Sequence, residues 1–134
     1  MSQEEDLRTL RRVYDDWARG EFWDVSTYDP EIEFVIGPSL PEPGTYHGYA
    51  GMEKGFRGSW LESWKQLRFE AEEFITAGEG RIVVLYRQSG IGKMSGVEAE
   101  LQGGHVWTMR DGKAVRLEVH AHRHEALEAA GLEG

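Results

Sequence analysis

No cysteine occurs in the chain, which removes disulfides, thiol catalysis and cysteine-ligated zinc or iron–sulfur centres. Nor does any apolar run approach the ~20 residues that a membrane-spanning helix needs. The first residues lack a basic segment followed by an apolar core, so no secretory leader is read there, and the cytoplasm is the expected location. Positive charge is scarce: 15 Lys and Arg stand against 24 Asp and Glu, a formal net charge of −9. A nucleic-acid binder shows a basic stripe. Here Arg8, Arg11 and Arg12 share a helix with Glu4, Glu5, Asp6, Asp15 and Asp16, so no single-sign patch forms. The acidic balance also disfavours anionic membranes. Neither nucleic acid nor membrane is expected as a partner.

What remains is an ordinary globular composition, 40% hydrophobic and 29% charged, over 134 residues that suit a single domain, 1–134. Leu7, Leu10, Val13, Tyr14, Trp17 and Ala18 recur at helical spacing and predict a helix from about Glu4 to Arg19, with Ser2 and Glu5 as a capping box and Gly20 as the stop. A short helix over Phe22 to Thr27 and a strand over Glu31 to Ile36 follow, separated by Pro30. Pro38, Pro41, Pro43 and Gly44 force a loop. A third helix is read from Ala50 to Trp64, with Phe56, Trp60 and Trp64 on one face. Four strands complete the chain: Leu67 to Thr76, Arg81 to Ser89, Val97 to Arg110 and Ala114 to Ala121. Gly103-Gly104 reads as a bulge or bend, and Arg123 to Ala130 as a terminal helical turn or two. Helices followed by hairpin-joined strands predict an α+β fold.

The last hairpin has two registers. A two-residue turn at Asp111-Gly112 pairs Arg110 with Lys113 and places His105 beside Glu118. A three-residue turn pairs Met109 with Lys113 and places His105 opposite Leu117. The second register sorts His105, Trp107, Met109, Val115, Leu117, Val119 and Ala121 onto one face, and Thr108, Arg110, Ala114, Arg116, Glu118, His120 and His122 onto the other. A sheet with one buried face requires such a split, so His105 and Trp107 are expected to point inward.

The runs Tyr46-His47-Gly48-Tyr49-Ala50-Gly51, His105-Val106-Trp107-Thr108-Met109-Arg110-Asp111-Gly112-Lys113 and Glu125-Ala126-Leu127-Glu128-Ala129-Ala130-Gly131-Leu132 resemble those of SnoaL-like proteins in the NTF2-like superfamily, relatives of polyketide cyclases and ketosteroid isomerases. The resemblance implies a cone in which N-terminal helices pack on a curved mixed or antiparallel sheet enclosing a pocket. It implies a small hydrophobic or aromatic molecule as partner and a homodimer through the outer sheet face, where Val106, Thr108, Arg116, Glu118, His120 and His122 are expected. It places Tyr14 near the oxyanion-donating tyrosine of ketosteroid isomerases, and His105 near the pocket histidine of polyketide cyclases. The isomerase base falls near Val35 and the cyclase acid near Val119, and neither valine can move a proton.

On these grounds His105 is the candidate proton-transfer residue, because imidazole titrates near neutrality, and Tyr14 the candidate hydrogen-bond donor to an oxyanion. Trp17, Tyr46, Phe56, Trp60, Arg87, Trp107, Leu117 and Val119 are the candidate ligand-binding residues. Arg87 lies in an apolar strand; facing inward it needs an acidic substrate or an internal carboxylate such as Glu73 or Glu100. Two functions fit: an isomerase, cyclase or hydratase acting on a small apolar or aromatic carbonyl compound, or a non-catalytic binder of such molecules. No cofactor is expected, since Gly90-Ile91-Gly92 lies between two strands and a dinucleotide loop needs a helix after it. No metal is expected either: His120, His122 and His124 run across a strand end, and no carboxylate pair has diagnostic spacing.

Overall fold

The computed structural model describes residues 3–40, 42–56, 64–78 and 80–132. Helix α1 spans Gln3–Ala18 and buries Leu10, Val13, Tyr14 and Trp17 along one stripe. Gly20 ends it in the left-handed region (φ 80°), its N–H bonded to the Trp17 carbonyl at 2.9 Å. The helix expected over Phe22 to Thr27 is reduced to one 3-10 turn, Val25–Thr27. Asp24 caps that turn through the Ser26 N–H, and the chain is extended again at Tyr28.

Strand β1 spans Tyr28–Ile36 and takes in Pro30, which the sequence reading had placed before it. Proline is tolerated because the ladder to the last strand is interrupted between Tyr28 and Glu33, so no N–H is needed there. A short edge strand, β2 (Gly44–His47), pairs antiparallel with β1. It was read as loop, since three of its four residues are exposed and no alternation marks it. Helix α2 spans Gly48–Phe56. The rest of the expected third helix lies outside the described residues up to Trp64, which opens β3 (Trp64–Thr76) rather than closing a helix.

Strands β4 (Arg81–Gly92), β5 (Glu98–Arg110) and β6 (Lys113–His120) follow, then helix α3 (Arg123–Ala129). The described residues form one open six-stranded sheet in the order β2-β1-β6-β5-β4-β3. It is mixed, because β1 and β6 run parallel while the other neighbours are antiparallel. This is an α+β cone, with helices packed on a sheet that does not close. No described helix is long and apolar enough to cross a membrane.

The final hairpin combines the two registers read from sequence. Its tip is the two-residue turn, Arg110 against Lys113, with Asp111 and Gly112 both at positive φ (51° and 78°). A register shift then follows: Met109 pairs with Ala114 but Thr108 with Arg116, leaving Val115 as the extra residue of a bulge. The shift restores the face expected for His105, which lies opposite Val119 and not Leu117. It also places Ala114 in the core in place of Val115.

Both sheet faces are covered. The inner face packs Phe34, Phe69, Ile82, Val84, Tyr86, Trp107, Leu117 and Val119 under α1 and α2. On the outer face Val83, Leu85 and Val106 pack with Ala126 and Ala130 from α3 and its end. Val106, expected in an exposed dimer patch, is therefore fully buried. Gly103-Gly104 is not a bulge, since the β4–β5 register runs unbroken from Arg81–Thr108 to Ile91–Glu98. Each glycine instead clears space on its own face. A Cβ at Gly103 would overlap the Tyr86 hydroxyl, and one at Gly104 would overlap the Ala126 methyl.

Candidate functional site

Alternation along β5 sends His105 and Trp107 to the inner face, where α1 presents Tyr14 and Trp17 one turn apart. His105 is 1% exposed. Its ring stacks on Tyr86 at 4.2 Å between centroids and 20° between planes. Tyr14, Trp17, Phe69 and Trp107 surround it at 5.7–6.3 Å. All these are apolar faces or edges, so burial dominates the electrostatics of the imidazole.

The polar contacts form a chain. Trp107 Nε1–H donates to the Tyr14 hydroxyl oxygen at 2.8 Å. Tyr14 Oη lies 2.5 Å from His105 Nδ1. Burial raises the Tyr14 pKa well above its ordinary value, outweighing the Trp107 hydrogen bond, so its proton stays on. Since Tyr14 oxygen accepts from Trp107, its proton is free to be donated to Nδ1. Burial, aided by the charge of His120, pushes the His105 pKa down to about 3. The imidazole is therefore neutral at pH 7; with Tyr14 donating to Nδ1, the ring proton lies on Nε2. A ring in that state offers a hydrogen bond from Nε2 and is a poor base, because the imidazolium that base catalysis forms is destabilised by the same burial.

A groove of about 380 Å³ opens between α1 and β3, lined by Arg11, Tyr14, Asp15, Ala18, Phe69, Glu70, Ala71 and Phe74. Two of its residues, Tyr14 and Phe69, contact the His105 ring. A more polar cleft of about 420 Å³ lies at the far end of β3, β4 and β5, among Gln66, Arg68, Ser89, Glu98 and Glu100. It carries none of the candidate residues, and the groove beside Tyr14 is the more relevant of the two.

Of the residues singled out in the sequence, the structure brings together His105, Tyr14, Trp17, Trp107, Leu117 and Val119. Phe56 joins through its edge contact with Trp17 at 5.6 Å. Tyr46 stands apart on the edge strand, donating its hydroxyl to the Glu42 carbonyl at 2.9 Å and packing on Phe34. Trp60 lies outside the described residues. Arg87 faces outward: its guanidinium bonds Glu72 at 2.5 Å and lies 3.9 Å from Glu100, while Glu72 also binds Arg123. These pairs hold the Glu72 carboxyl below the usual range, through Arg87 first and Arg123 next. Val35 also faces outward, its β1 neighbours Phe34 and Ile36 being the core residues. His122 and His124 stack on each other at 5.7 Å where α3 begins. Among the described residues no group of three His, Cys, Asp or Glu is placed to hold a metal ion.

Three buried inner-face residues were not among the candidate site residues: Phe69, Tyr86 and Gln88. Ile82 to Tyr86 is uniformly apolar because helices cover both faces of β4, and an unbroken apolar run hides its own alternation.

The open mixed sheet, the helices across its inner face and the buried polar pair beneath them define an α+β protein of the cone type. Residues 10–117 match the SnoaL-like domain model, and the chain belongs to this family of the NTF2-like superfamily. An NTF2-like protein of unknown function from Burkholderia pseudomallei superposes with a TM-score of 0.76 at 26% identity, over 96% of this chain and 97% of that one. TerC, crystallised with polyporic acid, gives a TM-score of 0.71 at 26% identity over 86% of this chain and 89% of its own. A SnoaL-like protein from Jannaschia sp. CCS1, assigned as a polyketide cyclase, shares the fold with a TM-score of 0.73 at 18% identity over 89% and 88%. No curated protein matches the chain significantly.

Proposed function

We propose that this SnoaL-like protein takes a small apolar or aromatic carbonyl compound into the cone and polarises its carbonyl with the Nε2–H of neutral His105. The observation that carries the reading is the Trp107–Tyr14–His105 hydrogen-bond chain inside a cage of aromatic rings. A donor held in a dry site interacts far more strongly with developing oxyanion charge than it does in water. Chemistry of the isomerase, cyclase or hydratase type passes through such charge, and a neutral imidazole supplies the hydrogen bond without needing to change protonation.

The second reading, binding without turnover, is favoured by a specific feature. His105 has no described hydrogen bond to a carboxylate, and the inner-face position on β6 beside it is Val119. Thermal shift with polyporic acid, the compound crystallised with TerC, tests the common part of both readings. The wild type is expected to be stabilised and His105→Asn not, because asparagine keeps an acceptor for Tyr14 but loses the N–H that reaches further. Equal stabilisation of both proteins contradicts the assignment. Deuterium uptake from D2O at the carbon beside the carbonyl of 2-acetonaphthone separates the two readings: protein-dependent exchange supports the enzyme, and none supports the binder.

A further inference from the structure

Gln88 is fully buried, yet among the described residues neither its amide nitrogen nor its amide oxygen has a hydrogen-bond partner. Its position on β4 gives it the inner face: Ile82, Val84 and Tyr86 alternate into the main core, while Val83 and Leu85 pack under α3. Phe69 of β3 and Leu101 of β5 flank it in register, and one step on, Trp64 lies against Gly90. A primary carboxamide in apolar surroundings with all its hydrogen-bonding capacity unused destabilises the fold, and a leucine or methionine of similar size would not. The residue is incomplete as it stands, and what completes it must present both a donor and an acceptor.

We propose that Gln88 is a second polar anchor on the inner face of the sheet, recognising a ligand edge that carries a carbonyl beside an N–H or O–H. Its Nε2–H donates to the carbonyl and its Oε1 accepts from the neighbouring hydrogen, closing the two-point pair that a carboxamide makes with a lactam or an enolised dicarbonyl. The inference rests on the reading of the pocket given above and narrows its ligand class. His105 lies opposite Val84, four residues from Gln88 along β4, about 13 Å at the backbone from the rise of a strand. Tyr86, on which His105 stacks, stands between them. The fitting ligand is thus a flat aromatic carbonyl compound lying along the Tyr86 side of the core, with its donor–acceptor edge at Gln88.

The test uses the full chain, Gln88→Met, and two neutral probes, 2-quinolone and 1-methyl-2-quinolone, which differ only in the N–H beside the carbonyl. Binding is read by tryptophan fluorescence and the melting temperature of the ligand-free protein by thermal scanning. The expected result has three parts. Gln88→Met melts no lower than wild type, because no hydrogen bond is lost. Wild type prefers 2-quinolone at least tenfold. The variant binds both probes alike. A lower melting temperature in Gln88→Met overturns the proposal, since it reveals a structural partner such as a buried water. So does the absence of preference in wild type, its persistence in the variant, or failure of both probes to bind. Equal binding of both probes by wild type, lost in His105→Asn, would remove Gln88 while leaving the carbonyl donor standing.

Discussion

At the scale of the residue, the sequence made His105 a proton-transfer candidate on the ordinary titration of imidazole, and the fold replaces that argument with a different one. Burial among five rings removes the imidazolium, and the Tyr14 hydroxyl occupies Nδ1. Trp107 donates its N–H to the Tyr14 oxygen, which leaves the phenolic proton available to His105. Trp107→Phe is therefore expected to lower stability by about 1 kcal/mol for the lost hydrogen bond. It should also let the Nδ1–H tautomer of His105 appear, since the Tyr14 oxygen is then free to accept from it. Side-chain nitrogen NMR reads the tautomer, and an unchanged one would show that Tyr14 is oriented by something else. The inward placement of His105 and Trp107 was legible from the alternation of the last hairpin. The Tyr14 contact was not, because the two residues lie 91 positions apart and no local pattern encodes their meeting. Gln88 was invisible for a related reason: it lies in the polar run Arg87-Gln88-Ser89 that closes an apolar strand, and no local pattern marks it as facing inward.

At the scale of the element, α1 and the alternating strands announced themselves, because each buries one face and leaves the other polar. Legibility failed where a segment is short or covered on both sides. Strand β2 is four mostly exposed residues. The β5–β6 turn has a two-residue tip whose register is corrected by a bulge at Val115, and no pairing rule applied from the tip alone reveals such a shift. Gly103 and Gly104 signalled an irregularity, but the structure uses them as clearances for a ring and a helix. Gly104→Ala is accordingly expected to destabilise by about 1–3 kcal/mol through overpacking against Ala126. Adding Ala126→Gly should recover part of that loss, less the roughly 1 kcal/mol that glycine costs inside a helix. Denaturant melts of the two single variants and the double variant give the coupling, and strict additivity would mean that α3 does not rest on Gly104.

At the scale of the molecule, acid stability follows from buried groups, not from net charge. His105 has a folded pKa of about 3 against 6.5 in the unfolded chain. The unfolded state thus binds a proton that the native state refuses, and stability falls as pH drops from 6.5 towards 3, by about 2 kcal/mol at pH 5. Glu118, held below its ordinary 4.5 by His120 and Arg116 against the opposing effect of burial, adds stability above 4.5 that is lost only at lower pH. Urea melts across pH 4–7 should show the upper loss in wild type and not in His105→Asn. The outer face bears on assembly. Arg116 is 3.5 Å from Glu33 and 3.4 Å from Glu118 within one chain, so these charges do not need a second copy. The homodimer remains a proposal carried by the family resemblance. Light scattering at micromolar concentration is expected to give twice the 15.2 kDa chain mass, and a monomer mass would remove it. The protonation state and tautomer of His105 are read by long-range proton–nitrogen correlation spectra of the five histidine side chains at pH 7 and pH 5. One imidazole, absent in His105→Asn, is expected to stay neutral at both values with its proton on Nε2. A His105 signal that titrates near 6.5, or that carries its proton on Nδ1, would contradict it.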